Sequence, residues 1–180
     1  MGGIIGMMFS AANPGVIEKL CLNDIGAFIP KEPLVRIAKY VGINPAFTNL
    51  EEAEAHLRVI FSRFGIVSHD NWRHITNHSA FLDHDGHFRL SYDPKIAGIF
   101  KEGSEENIAS VDLSEIWQKV TFNKCLILRG IESDILLPDT LAYMVNSKPG
   151  ITAIEFSATG HAPALMEENQ LRPVVKWFIE

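Results

Sequence analysis

Four consecutive apolar residues, Cys125-Leu126-Ile127-Leu128, constrain the fold of this chain more than any other stretch. A strand with one face in water alternates apolar and polar side chains. An unbroken apolar run marks a strand buried on both faces of a parallel sheet, with helices packed above and below. The run leads into Arg129-Gly130-Ile131-Glu132-Ser133-Asp134, and Pro138 then opens a helix. A second extended segment, Thr152 to Phe156, runs into Ser157-Ala158-Thr159-Gly160-His161-Ala162-Pro163. Gly160 can take backbone conformations barred to other residues, and Pro163 stops the chain from turning straight into a helix. Each strand thus delivers an ionisable residue, Asp134 or His161, to the carboxyl end of a sheet, where open α/β folds place their chemistry. An acid and then a histidine are the tail of the chain order Ser, Asp, His. There the carboxylate fixes the imidazole tautomer while the imidazole takes the nucleophile's proton.

In these stretches the chain resembles the α/β-hydrolase family. LILRGIESDILLPD is similar to that family's acid loop and FSATGHAPALM to its histidine loop. Met1-Gly2-Gly3-Ile4-Ile5-Gly6 is similar to the residues after the nucleophile in the family's Gly-x-Ser-Met-Gly-Gly elbow, which puts the serine one position before Met1. The resemblance implies Asp134 as triad acid, with Glu132 in reserve, His161 as general base and the backbone N–H of Met1 as an oxyanion donor. It also implies an α/β fold made of the C-terminal strands of a mostly parallel sheet, with flanking helices and an inserted helical lid. The N-terminal half of the family fold would be absent. Residues 1–30 would be the helix and strand after the nucleophile, 31–111 the lid, and 112–180 the C-terminal core with the acid and histidine loops. The implied activity is that of a serine-type hydrolase acting on an ester or similar acyl bond, in a chain lacking its nucleophile. The alternative is a non-catalytic fragment or remnant, or a subunit completed by another chain.

Ser10, Ser133 and Ser157 lie near the matched motifs, but none has a Gly-x-Ser-x-Gly frame. Asp24, in Asp24-Ile25-Gly26, reads as a turn residue closing a strand over Val16 to Asn23, centred on Leu20-Cys21-Leu22. With its family neighbour missing, that strand becomes a sheet edge, open to self-association or to the missing N-terminal portion. Helical spacing predicts helices from Gly2 to Ala12, from Asn49 towards Gly65, from His69 to Ser79, after Asp112, from Pro138 to Asn146 and at the C-terminus. In the last of these, Leu171, Val174, Val175 and Phe178 form one stripe. His69, His74 and His78 lack the third close ligand of a zinc site, and Asp83-His84-Asp85-Gly86 lacks the remaining ligands of a calcium loop, so no metal and no cofactor is expected. Sixteen basic against 22 acidic residues, a net charge of −6, argue against nucleic acid. No apolar run reaches the length of a membrane span, and a cytoplasmic chain is expected, with Cys21 and Cys125 as buried free thiols. The family resemblance implies a small-molecule acyl substrate if the chain is completed.

Overall fold

The computed structural model describes residues 1–98 and 108–180, so the part of the expected lid from 99 to 107 lies outside the described residues. Helix α1 (Gly2–Ala12) leads to strand β1 (Lys19–Asn23), and a short strand β2 (Phe28–Ile29) comes next. Then come α2 (Lys31–Ala38), α3 (Leu50–Ile60), α4 (His69–Ser79), the hairpin strands β3 (Ala80–Leu82) and β4 (Phe88–Leu90), and a 3-10 turn at Pro94–Ala97. Strand β5 (Val111–Asp112), α5 (Ser114–Lys119), β6 (Lys124–Gly130), α6 (Pro138–Ser147), β7 (Ile151–Phe156) and α7 (Glu168–Ile179) complete the order.

The main sheet has the order β1-β6-β7, with both pairings parallel. Strand β6 is its centre: Cys125 through Gly130 are buried without a break, as a strand covered on both faces must be. One cluster packs α1, α5 and α6 on one side, with Met7, Leu22, Trp117, Ile127 and Met144 buried. The other side holds Leu126, Leu128, Phe156 and Val174 of α7. The segment from α2 to the 3-10 turn has a cluster of its own, with Phe47, Ala53, Leu57, Trp72 and Leu90. Its two ends meet where β2 pairs antiparallel with β5, Phe28 opposite Asp112 and Ile29 opposite Val111.

Local chemistry accounts for several element ends. The Asn49 side chain accepts from the Glu52 N–H at 2.9 Å, and Glu52 reaches back to the N–H and hydroxyl of Thr48. Ser68 caps α4. The Asp83 carboxylate accepts from the Asp85 and His87 N–H groups and from Arg89, closing the β3–β4 turn, and these donors hold its pKa down at about 2. The acidic loop is thus a hairpin turn.

Four expectations change. Strand β1 begins at Lys19 rather than Val16, because the Glu18 carbonyl accepts from both Asn123 and Lys124 and Val16 is left exposed. Helix α3 stops at Ile60, short of Gly65. Helix α1, whose helical spacing in the sequence is carried by Ile4, Ile5, Met8, Ala11 and Ala12, turns Met7 and Ser10 inward and leaves Ile5 and Met8 exposed. Its rotation is pinned by Ser10, whose hydroxyl donates to the Thr121 carbonyl at 2.7 Å and accepts from the Thr121 N–H at 3.0 Å. A Cβ on Gly3 would run into Ile25, so this turn of helix lies close against the chain that leaves β1. In α7, likewise, Gln170 and Val174 are buried, while Leu171, Val175 and Phe178 are 42%, 46% and 47% exposed. Gln170 is drawn in because its Oε1 accepts from the Leu165 N–H at 2.8 Å. Of the two free thiols Cys125 is fully buried and Cys21 only partly. Burial, reinforced by Cys21, pushes the Cys125 pKa up to about 12, which leaves it an inert thiol at neutral pH.

Candidate active site

Parallel pairing sets the carboxyl ends of β1, β6 and β7 side by side, and three loops leave the sheet there. Asp24, the residue after β1, has no exposed surface and a φ of 55°, a left-handed conformation that aspartate tolerates better than most residues. Its N–H donates to the Leu128 carbonyl at 2.9 Å, which fixes the turn onto β6. Its Oδ1 accepts from the Gly130 N–H at 2.9 Å, and its Oδ2 accepts from the Ser133 hydroxyl at 2.6 Å. His161 completes the set: its Nδ1 lies 2.8 Å from Asp24 Oδ2 and 3.1 Å from the Asp24 carbonyl oxygen. Both partners of Nδ1 accept, so Nδ1 carries a hydrogen, and in the neutral ring the lone pair is then on Nε2.

A carboxylate out of water is costly unless hydrogen bonds compensate it, and three donors do so here. Ser133, itself buried, is anchored by accepting from the Ile135 and Leu136 N–H groups at 3.2 and 3.1 Å. Ser133→Ala is expected to destabilise the fold by about 1–3 kcal/mol, the usual cost of leaving a buried polar group short of a partner. Denaturant unfolding measures it, and a change within error would show that water replaces the hydroxyl.

The histidine loop is held against β6 by backbone contacts. The Ile131 N–H donates to the Phe156 carbonyl and the Glu132 N–H to that of Thr159, each at 2.9 Å. A Cβ on Gly130 would strike the backbone of Thr159 and Gly160, so only glycine lets the two loops meet. Gly160 is needed for space beside Arg63, not for a positive φ; Ala158 and Leu165 take the left-handed conformations in this loop. Arg129, buried at the end of β6, donates to the Leu136 and Ile131 carbonyls and to Glu155, tying the acid loop to β7.

Asp134 stands elsewhere. Its carboxylate is bound by the Arg36 guanidinium of α2 at 2.9–3.1 Å, and both side chains are nearly half exposed. The acidic partner of His161 is therefore Asp24 and not the expected Asp134. Asp134 is the more solvated carboxylate, and Arg36 satisfies it at the surface. Glu132 contributes its backbone N–H to the loop contact with Thr159.

His161 lines a cavity of about 560 Å³, whose walls also include Met1, Gly2, Gly3, Cys21, Asn23 and Val41. Met1, at the amino end of α1, thus shares a cavity with His161. Ser10 is sequestered by Thr121, and Ser133 is spent on Asp24. Cys21 is the one thiol in this lining among the described residues, and burial raises its pKa, against a nucleophilic role. Elsewhere, His74 and His78 stack with ring centroids 4.2 Å apart, and the His78 Nδ1–H donates to the His74 carbonyl. Among the described residues no three His, Cys, Asp or Glu side chains gather to hold a metal ion, and no helix is long and apolar enough to cross a membrane.

No family model matches the chain. It is 31% identical over 185 residues to the 3-hydroxybutyrate-oligomer hydrolase of Cupriavidus necator, an alignment covering 99% of this chain and 62% of that protein. Among solved structures, a protein of Rickettsia typhi assigned as a hydrolase superposes with a TM-score of 0.90 at 30% identity, over 99% of this chain and 59% of the other. An α/β hydrolase from Novosphingobium aromaticivorans gives 0.81 at 29% identity, over 97% of this chain and 61% of the other. The chain therefore spans about three fifths of the length of the proteins it matches. By these likenesses and by its sheet, flanking helices and strand-end loops, the chain has the fold of the α/β hydrolases over the part of their length that it spans.

Proposed function

We propose that the chain is the C-terminal part of a serine-type hydrolase acting on an ester or similar acyl bond, with His161 as general base and Asp24 as its acid. The observation that carries this reading is the pairing of His161, on the wall of a cavity, with the fully buried Asp24 carboxylate 2.8 Å away. In the proposed reaction Nε2 of His161 takes the proton of a serine hydroxyl as that oxygen attacks the acyl carbon. Asp24 stabilises the imidazolium that forms, and His161 returns the proton to the leaving alcohol. The amino end of α1 carries a partial positive charge, which favours an oxyanion beside Met1 once a preceding residue makes the Met1 N–H a peptide group. The nucleophile would come from the position before Met1. The relative from C. necator acts on oligomers of a hydroxy acid, whose units are joined by ester bonds, and this supports the choice of acyl bond.

Residues 31–111 serve in this reading as a lid over the cavity, since α2 and the 3-10 turn supply Leu34, Ile37 and Ile96 to its wall. The alternative, a chain completed by another polypeptide or by its own copy, draws on two observations. Strand β1 pairs only with β6 among the described residues, and Ile5, Met8 and Phe9 of α1 together with Leu171, Val175 and Phe178 of α7 lie exposed. Unpaired edges and large apolar patches invite association. The test is to extend the chain upstream, through its own coding sequence, to include a Gly-x-Ser. Hydrolysis of activated short-chain esters and labelling by a fluorophosphonate are expected, with turnover abolished by His161→Ala. An extended, folded protein with no such turnover would refute the reading.

A further inference from the structure

A second cavity, of about 420 Å³, opens within the segment between β2 and β5. Its volume falls in the range of sites that hold small molecules, roughly 300–1,000 Å³. Val41, Leu57, Ile60, Phe61, Leu90 and Ile96 form most of its surface, and among the described residues no Lys, Arg, Asp or Glu lines it. Its polar members are partly committed already: the Tyr92 hydroxyl donates to the Ile43 carbonyl at 2.5 Å and the His78 Nδ1–H to the His74 carbonyl at 2.7 Å. A ligand entering it gains mainly apolar contact, with Tyr40, Ser79 and Ser91 as the remaining polar residues of the wall. Val41 and Ile96 belong to the walls of both this cavity and the one at His161, so the two adjoin.

We infer that this second cavity receives the far end of the acyl substrate, an uncharged, linear, medium-length apolar tail, while the carbonyl end lies at His161. This inference rests on the acyl-hydrolase reading for the identity of the reacting end, and on the adjoining walls for the course of the chain. Among the described residues this lining offers a charged terminus no carboxylate, ammonium or guanidinium, only the His78 ring and hydroxyl groups, and a charge without a counter-ion in a largely apolar site is strongly disfavoured. The cavity therefore selects by charge as well as by length. A tail ending in a methyl group fits, and one ending in a carboxylate or an ammonium is rejected.

The test needs no turnover. The probe is a medium-chain alkyl N-methylamide, uncharged and not hydrolysed, carrying a diazirine near its far end. Irradiation with the 180-residue chain should place the label on peptides containing Val41, Leu57 to Phe61, or Leu90 to Ile96. Ile60→Trp fills the cavity, and Ile96→Trp obstructs the shared wall at a residue that is already 44% exposed, so the core stays intact. Each is expected to lower labelling about tenfold, and the same amide bearing a terminal carboxylate is expected to compete about tenfold less well than its uncharged parent. Labelling confined to other peptides, labelling undiminished in both variants, or equal competition by the charged amide would overturn the proposal. Cavity labelling in an extended protein that hydrolyses no ester would instead refute the catalytic reading alone. Ester hydrolysis that depends on His161 but is indifferent to tail length and to Ile60→Trp would refute the tail site alone.

Discussion

The 180-residue chain, purified alone, is expected to turn over activated esters about 10⁶-fold more slowly than the extended protein, the scale of loss when a triad nucleophile is removed. The reason lies in the residues around His161. The described lining of its cavity holds no serine, Ser10 and Ser133 are bonded to Thr121 and Asp24, and the Cys21 thiol is kept protonated by burial. The oxyanion position suffers as well, because a terminal Met1 amine is not a fixed peptide N–H. Protein of verified mass, assayed with short-chain esters and a serine-directed fluorophosphonate, tests this. Stoichiometric labelling together with turnover abolished by His161→Ala would contradict it.

How far the fold can be read from the sequence depends on whether a single periodicity decides the matter. Strand β6 is legible because Cys125 to Leu128 admits one physical reading, a strand covered on both faces. Helix α4 and the Asp83 turn are legible because their ends are set by local caps. The buried faces of α1 and α7 are not. In each, one polar residue, Ser10 or Gln170, turns inward to meet a backbone group, and several apolar residues are left outside. Hydrophobic spacing cannot register a hydrogen bond to Thr121, 111 positions away.

The site shows the same division. His161 is legible as a strand-end histidine, whereas Met1 is brought to it only by the family resemblance. Asp24 is hidden because Asp-x-Gly is also an ordinary turn. The signal that could find it is the one that marks Asp134: a carboxylate shortly after an apolar strand of a parallel sheet. Choosing between two such carboxylates takes the strand order, and β6 lies between β1 and β7 so that the loops after all three converge. Ser133 and Arg129 have no signature, since each acts through contacts that exist only once those loops meet.

Which carboxylate serves His161 is decided most directly by two substitutions in the extended protein, Asp24→Asn and Asp134→Asn, compared by kcat/KM on one activated ester. Asparagine keeps the shape of Asp24 but cannot stabilise the imidazolium or hold the productive tautomer as a carboxylate does, and the expected loss is about 10⁴-fold, or roughly 5.5 kcal/mol of transition-state stabilisation. Among the described residues the Asp134 carboxylate bonds to Arg36 at the surface, where an ion pair contributes about 0–1 kcal/mol, so Asp134→Asn should stay within a fewfold of the parent. Circular dichroism of both variants separates loss of chemistry from loss of fold. The account predicts the large loss at Asp24 and near-parent activity at Asp134; the reverse pattern in two folded variants would contradict it.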